Sequence, residues 1–187
     1  MSKAVIFFAP GLEECEGLLC VDILRRAGVE VTIAAVGGEK IVKSARQISV
    51  VADALAEELD YTVFDACILP GGIPGVPNLK ADATVRRVCR DFAAEGKVVA
   101  AICAAPAVVL ARRGLLRGRR ATSNPNFQHE IAENGGVVVA DERVVVDGSV
   151  LTSQGMGTAT DLGLAIVGRY LGEDAVAEAK QKIVYWG

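Results

Sequence analysis

One cysteine in this chain stands where a nucleophile would be placed. Ala100-Ala101-Ile102-Cys103-Ala104-Ala105-Pro106 ends an apolar run and opens a helical stretch, with Pro106 near the first turn. Small residues two positions to either side, Ala101 and Ala105, let the backbone turn sharply and present the side chain between them. That is a loosened form of the nucleophile elbow. A helix N-terminus also favours a thiolate, and thiols so placed ionise at roughly 3.5–7.5. The same residues fit a structural cysteine in alanine-rich packing, so on the pattern alone both readings of Cys103 stand.

Glu16 is the second candidate. Helical spacing puts it in line with Leu19, Cys20, Ile23 and Ala27, a stripe expected to face the core. A carboxyl on a buried stripe is costly unless paired or protonated. Hydrogen-bonded to a thiolate it would satisfy both groups; at a frayed helix end it would be exposed and inert. Glu13 and Glu14 need no more than the ordinary capping role of acids in a first turn. Gly71 and Gly72 follow Leu69-Pro70, and their amides are candidates for an oxyanion at Cys103, or simply for a tight turn. With Gly75 they make a GGxxG, but no GK[ST] follows and no acidic ribose partner stands at the right spacing. No nucleotide cofactor is expected.

The elements that must position these residues alternate in type. Val5–Ala9, Val29–Val36, Ala66–Leu69 and Val98–Ile102 read as strands; Glu14–Ala27, Ala83–Ala94, Pro106–Arg113 and Thr160–Leu171 read as helices. Gly28, Gly96 and Gly114 follow three of these helices, where a left-handed residue ends a helix well. Such alternation predicts an α/β fold with a mostly parallel sheet between two layers of helices. Val137–Ala140, Arg143–Val146 and Val150–Thr152, separated by Asp141-Glu142 and Asp147-Gly148, are expected to form a small antiparallel addition. In open parallel sheets, chemistry collects beyond the carboxyl ends of the strands. This directs attention to 10–16, 70–78 and 103–106, and secondarily to 123–126 and 153–158.

The 187 residues suit one domain, 1–187, with half the residues apolar and few aromatic, as a Val/Ala/Leu/Ile core requires. A net charge of −3 and the lack of a long basic stripe argue against nucleic-acid binding. Arg112-Arg113 and the Arg117–Arg120 piece read as a helix end and a solvated loop. Five cysteines, at 15, 20, 67, 89 and 103, show no CxxC spacing, so neither a disulfide framework nor a metal site is indicated, and all but Cys103 are expected to be buried. No segment approaches a membrane span and no leader precedes the first strand, so a soluble, cytoplasmic protein is expected.

Taken together, Ala9-Pro10-Gly11-Leu12-Glu13-Glu14-Cys15-Glu16, Leu69-Pro70-Gly71-Gly72, the Cys103 segment and Leu151-Thr152-Ser153-Gln154-Gly155-Met156-Gly157-Thr158 resemble the DJ-one branch of the ThiJ/PfpI family, most of all its bacterial YajL-like members. The resemblance runs from Lys3 to about Val184. It implies a flavodoxin-like three-layer sandwich and a homodimer formed partly through the first helix, with Gly17-Leu18-Leu19 as the supporting small and apolar residues. It implies a reactive cysteine matching Cys103, prone to oxidation to a sulfinate, and a protonated acidic partner matching Glu16. Arg46 matches an arginine that reaches the site across the dimer interface, and Gly72 and Ala104 match positions whose amides point at the thiol or substrate.

The activities so implied are cofactor-free conversion of methylglyoxal to lactate, repair of glycated thiols and amines, and chaperone action on unfolded proteins under oxidative stress. Protease-type relatives carry His directly after the cysteine, where this chain has Ala104. Amidotransferase relatives need a downstream His and Glu, where it has Gln154-Gly155-Met156-Gly157. Without an adjacent base, neither peptide nor glutamine hydrolysis is expected. Some glyoxalase-active relatives have a His in a Thr-His-Pro context; Ser123-Asn124-Pro125 puts Asn124 there, able to bind a substrate oxygen but not to shuttle a proton. The one histidine, His129, is expected to be solvated. Two readings follow: a glyoxalase or deglycase working through Cys103 and Glu16, or a redox sensor or chaperone signalled by Cys103 oxidation.

Overall fold

In the computed structural model, which describes residues 2–186, the first apolar run forms strand β1 (Lys3–Phe8), fully buried from Ala4 onward. A strand without polar alternation must be covered on both faces. Val5 and Phe7 point into one apolar cluster, Ala4, Ile6 and Phe8 into the other. Helix α1 (Glu14–Arg26) follows, capped by Glu13, whose carboxylate accepts the Glu16 N–H. Strand β2 (Glu30–Ala35) pairs parallel with β1. Then come an antiparallel hairpin of β3 (Ile41–Lys43) and β4 (Ser49–Val51) and a short edge strand, β5 (Ala54–Leu55).

The chain crosses to the other side of β1 with β6 (Ala66–Leu69), passes through α2 (Gly75–Ala81) and α3 (Ala83–Glu95), and returns as β7 (Val98–Ile102). Two-residue strands β8 (Arg120–Ala121) and β9 (Val137–Val138) flank helix α4 (Gln128–Glu133). Strands β10 (Val144–Asp147) and β11 (Val150–Ser153) precede α5 (Ala159–Leu171) and α6 (Glu173–Lys182). The sheet runs β10-β11-β7-β6-β1-β2-β5, and every pairing in it is parallel except β10 with β11. Helices α1, α5 and α6 cover one face; α2, α3, α4 and the segment Pro106–Leu110 cover the other. The mostly parallel α/β sandwich expected from the alternation is the one that forms.

Several details differ. The Asp147-Gly148 turn closes an antiparallel hairpin where expected, with Gly148 at φ +61°, but β11 also pairs with β7 and so extends the main sheet. Val137 and Val138 do not join it; they pair parallel with Arg120 and Ala121, held by the Arg119 and Ala121 carbonyls. Leu19 is exposed rather than on the buried stripe, because the inward face of α1 centres on Gly17, Cys20, Val21 and Leu24. Gly17 is not free for a dimer face: a Cβ there would lie 2.7 Å from the Phe8 ring. The helix after Cys103 winds wide, the Ala111 N–H reaching back five residues to the Pro106 carbonyl. Among the described residues no helix is long and apolar enough to cross a membrane.

Candidate active site

Strand order reverses at β1: the chain builds β2 and β5 on one side of it, then β6, β7 and β11 on the other. A crevice opens beyond the carboxyl ends at such a switch point. Four segments converge there. Glu16 comes from the helix after β1, Gly71 and Gly72 follow β6, Cys103 and Ala104 follow β7, and the 154–158 loop follows β11.

Cys103 holds a left-handed backbone, φ +65°, which costs a non-glycine residue about 1–2 kcal/mol. Neighbouring strands enforce it. Its N–H donates to the Ser153 carbonyl at 3.0 Å, and its carbonyl accepts the Asn124 N–H at 2.9 Å. The sharp elbow expected from Ala101 and Ala105 is therefore present, and the small flanks are fully buried. The N–H groups of Gly72 and Ala104 donate to the sulfur.

Glu16 is 1% exposed. Its Oε2 accepts the Gly71 N–H at 2.7 Å, and the Met156 N–H also donates to its carboxyl. The Cys103 thiol makes a hydrogen bond to the same group. Gly71 is what lets the two meet. A Cβ at that position would fall 2.4 Å from the Cys103 Cβ and 2.5 Å from Glu16 Oε2. At Gly72, φ +99°, a Cβ would fall 2.2 Å from the Glu13 nitrogen. Neither glycine merely relaxes a turn.

Burial raises the Glu16 pKa to about 7 against the lowering effect of its hydrogen-bond donors. The Cys103 thiol is pushed up to about 12, by burial first and then by the Glu16 charge and hydrogen bond, while the Ala104 and Gly72 amides pull it down. This corrects the expectation of a depressed thiol pKa from a helix N-terminus: a half-buried sulfur beside an ionised carboxylate resists a second negative charge. The two groups act as a pair that loses one proton near 7 and the other near 12. Between those values one proton and one charge are shared. The Gly71 and Met156 amides favour the charge on oxygen; those of Gly72 and Ala104 favour it on sulfur.

A cavity of about 300 Å³ opens over the thiol, lined by Glu13, Arg46, Gly72, Ile73, Cys103, Ala104, Asn124 and Phe127 among others. Glu16 lies beneath Cys103, outside this lining. Arg46 is brought in by the turn between β3 and β4, which Ser44 anchors through the Arg46 and Ile48 N–H groups and which the Ala45 N–H ties to Leu12. It lines the pocket of its own chain. The Asn124 side-chain oxygen accepts the Asn126 N–H, and His129 is exposed, away from this lining. Cys20, Cys67 and Cys89 are buried as expected, but Cys15 is exposed on α1. The Met156 amide on Glu16, and the Thr158 hydroxyl that holds its loop by accepting the Gln154 and Gly155 N–H groups, were not singled out from the sequence. The glycines at 155 and 157 were the available signal of a backbone approach.

This constellation defines a class of protein. A sequence model of the DJ-1/PfpI family matches residues 2–169, and the chain belongs to that family. It is 36% identical to Protein dj-1beta of Drosophila melanogaster over 98% of each chain. It is 33% identical to the glutathione-independent glyoxalase DJR-1.2 of Caenorhabditis elegans over 88% of this chain and 87% of that one. Among solved structures, oxidized DJ-1 of Toxoplasma gondii superimposes with a TM-score of 0.95 at 31% identity, covering 100% of both chains.

Proposed function

We propose that this chain is a glutathione-independent glyoxalase with deglycase-type activity, acting on methylglyoxal and its thiol adducts. The observation that carries the reading is the hydrogen bond between Cys103 and the buried Glu16, with two amide donors on the sulfur at the floor of an open pocket. The relative named as a glyoxalase supports it. The sulfur attacks the aldehyde carbon; a C–S bond forms, the carbonyl electrons move to oxygen, and protonation gives a hemithioacetal. The Gly72 and Ala104 amides stabilise the oxyanion. Glu16 takes the proton from that carbon, giving an enediol, and returns it to the neighbouring keto carbon, while the hemithioacetal hydroxyl proton passes to the keto oxygen, leaving a lactoyl thioester. Water cleaves the thioester, releasing lactate and restoring the thiol. Arg46 and Asn124 hold substrate oxygens. We also place the chain in the YajL-like branch, with Asn124 as the supporting residue, and read 1–187 as one domain of a cytoplasmic homodimer.

The test is lactate formation from methylglyoxal without glutathione or metal, by the wild type, Cys103→Ala and Glu16→Gln. Turnover in the wild type and its loss in both variants is the expected result. No turnover in a wild type with Cys103 reduced overturns the reading.

A second reading, redox sensing, is favoured by the contrast among the thiols. The half-buried Cys103 sulfur receives the Gly72 and Ala104 N–H groups, which favour its thiolate against burial and Glu16, whereas partial burial and the charges of Glu13, Glu14 and Glu16 all push the exposed Cys15 thiol up. Two equivalents of hydrogen peroxide would take Cys103 to the sulfinic acid with release of two waters. Site-resolved mass spectrometry after peroxide should find oxidation at Cys103 ahead of Cys15; the reverse order removes this reading.

A further inference from the structure

Across α2 from the thiol pocket, a groove of about 500 Å³ is lined by Pro77, Lys80, Ala81, Arg86, Val108, Arg112 and Arg113. Its charge is one-sided. Arg112 is engaged by Glu130 through two hydrogen bonds, at 2.5 and 2.8 Å. Among the described residues, Lys80, Arg86 and Arg113 form no ion pair with any carboxylate. Asp82, the nearest acid in sequence, is used as the cap of α3, accepting the Val85 N–H.

Arg113 is the unusual member. It follows Arg112 at what the sequence marks as a helix end, and it is partly buried, with one guanidinium nitrogen donating to the Lys80 carbonyl. Its Nε–H is shut off from solvent and meets no acceptor. Such an orphaned charged donor costs stability. Burial and the like charge of Arg86 both act against its protonated form. Nothing in the thiol chemistry uses this cluster.

We propose that this groove is a binding site for a phosphate-class oxyanion, free or as the phosphate of a small metabolite. A dianion answers three unpaired cations better than a single carboxylate does, and the guanidinium fork matches phosphate oxygens two at a time. Val108 and the apolar parts of Pro77 and Ala81 supply a wall for the group that carries the phosphate.

Calorimetric titration with inorganic phosphate and with pyrophosphate, and with acetate for comparison, tests the proposal on the full chain. Both phosphates should bind the wild type, and Arg86→Gln and Arg113→Gln should each weaken them about tenfold. Arg86 is exposed, so its variant carries the test even if Arg113→Gln does not fold. Arg46→Gln should leave the affinity unchanged. Loss of binding in Arg46→Gln alone puts the anion in the thiol pocket and overturns the assignment. So does equal binding of acetate, or binding by neither phosphate. These results are independent of whether the chain turns over methylglyoxal.

Discussion

Between its two ionisations the Glu16–Cys103 pair holds one proton, and that proton governs both stability and reactivity. Unfolded, Glu16 ionises near 4.5; folded, near 7. As the pH rises from 4.5 to 7 the unfolded chain releases this proton first, so the folded state loses about 3 kcal/mol from this group and levels off above 7. Glu16→Gln keeps an oxygen for the Gly71 N–H and cannot ionise. Its thermal midpoint is expected to exceed that of the wild type at pH 8 by several degrees, the gap closing at pH 4.5. A variant less stable than wild type at pH 8 would show that the ionised carboxylate is well paired in its burial. Turnover by the wild type should rise through pH 7, where the doubly protonated pair disappears.

At the scale of elements, the thiol is aimed by its neighbours. The Ser153 carbonyl from β11 and the Asn124 N–H hold Cys103 in its left-handed turn, and Gly71 clears the space in which sulfur and carboxyl meet. Gly71→Ala is therefore expected to lower turnover by about a hundredfold, since a misplacement of about 1 Å costs that much, with the far-ultraviolet circular dichroism unchanged. Unaltered turnover would mean the Glu16 contact is dispensable. Strands β1, β6 and β7 could be read from the chain because unbroken apolar runs admit few other fates. Glu16 and Cys103 could be read because a buried-face acid and a small-flanked cysteine are unusual company. The hairpin carrying Arg46 could not, since Ile41–Val51 mixes exposed apolar and polar residues without a clean period. Pro77 disguised α2, and α6 buries little beyond Ala179, so neither shows a strong apolar stripe. The Met156 contact is made by a backbone amide, which no side-chain pattern reports.

At the scale of the whole molecule, the outward face of α1 is where we place the homodimer contact. Leu18 and Leu19 are 38% and 37% exposed on a helix whose other flank is fully packed. Leu18→Glu with Leu19→Glu should convert the dimer to a monomer in sedimentation equilibrium; a wild type that sediments as a monomer at micromolar concentration removes the proposal. The convergence of four strand ends on one sulfur has a further consequence, for how the chain comes into being. Glu16, Gly71, Cys103 and the Met156 amide lie far apart in sequence and meet only when the β11–β7–β6–β1 array is complete. Long-range closure of this kind comes late in folding. A chain still on the ribosome, or partly opened by heat, has an ordinary thiol at position 103, ionising near ~8.5 like any free cysteine. Seating the last strand thus turns an ordinary thiol into one whose ionisation is held back by burial and by Glu16, and the slowing of Cys103 alkylation becomes a clock for assembly of the sheet.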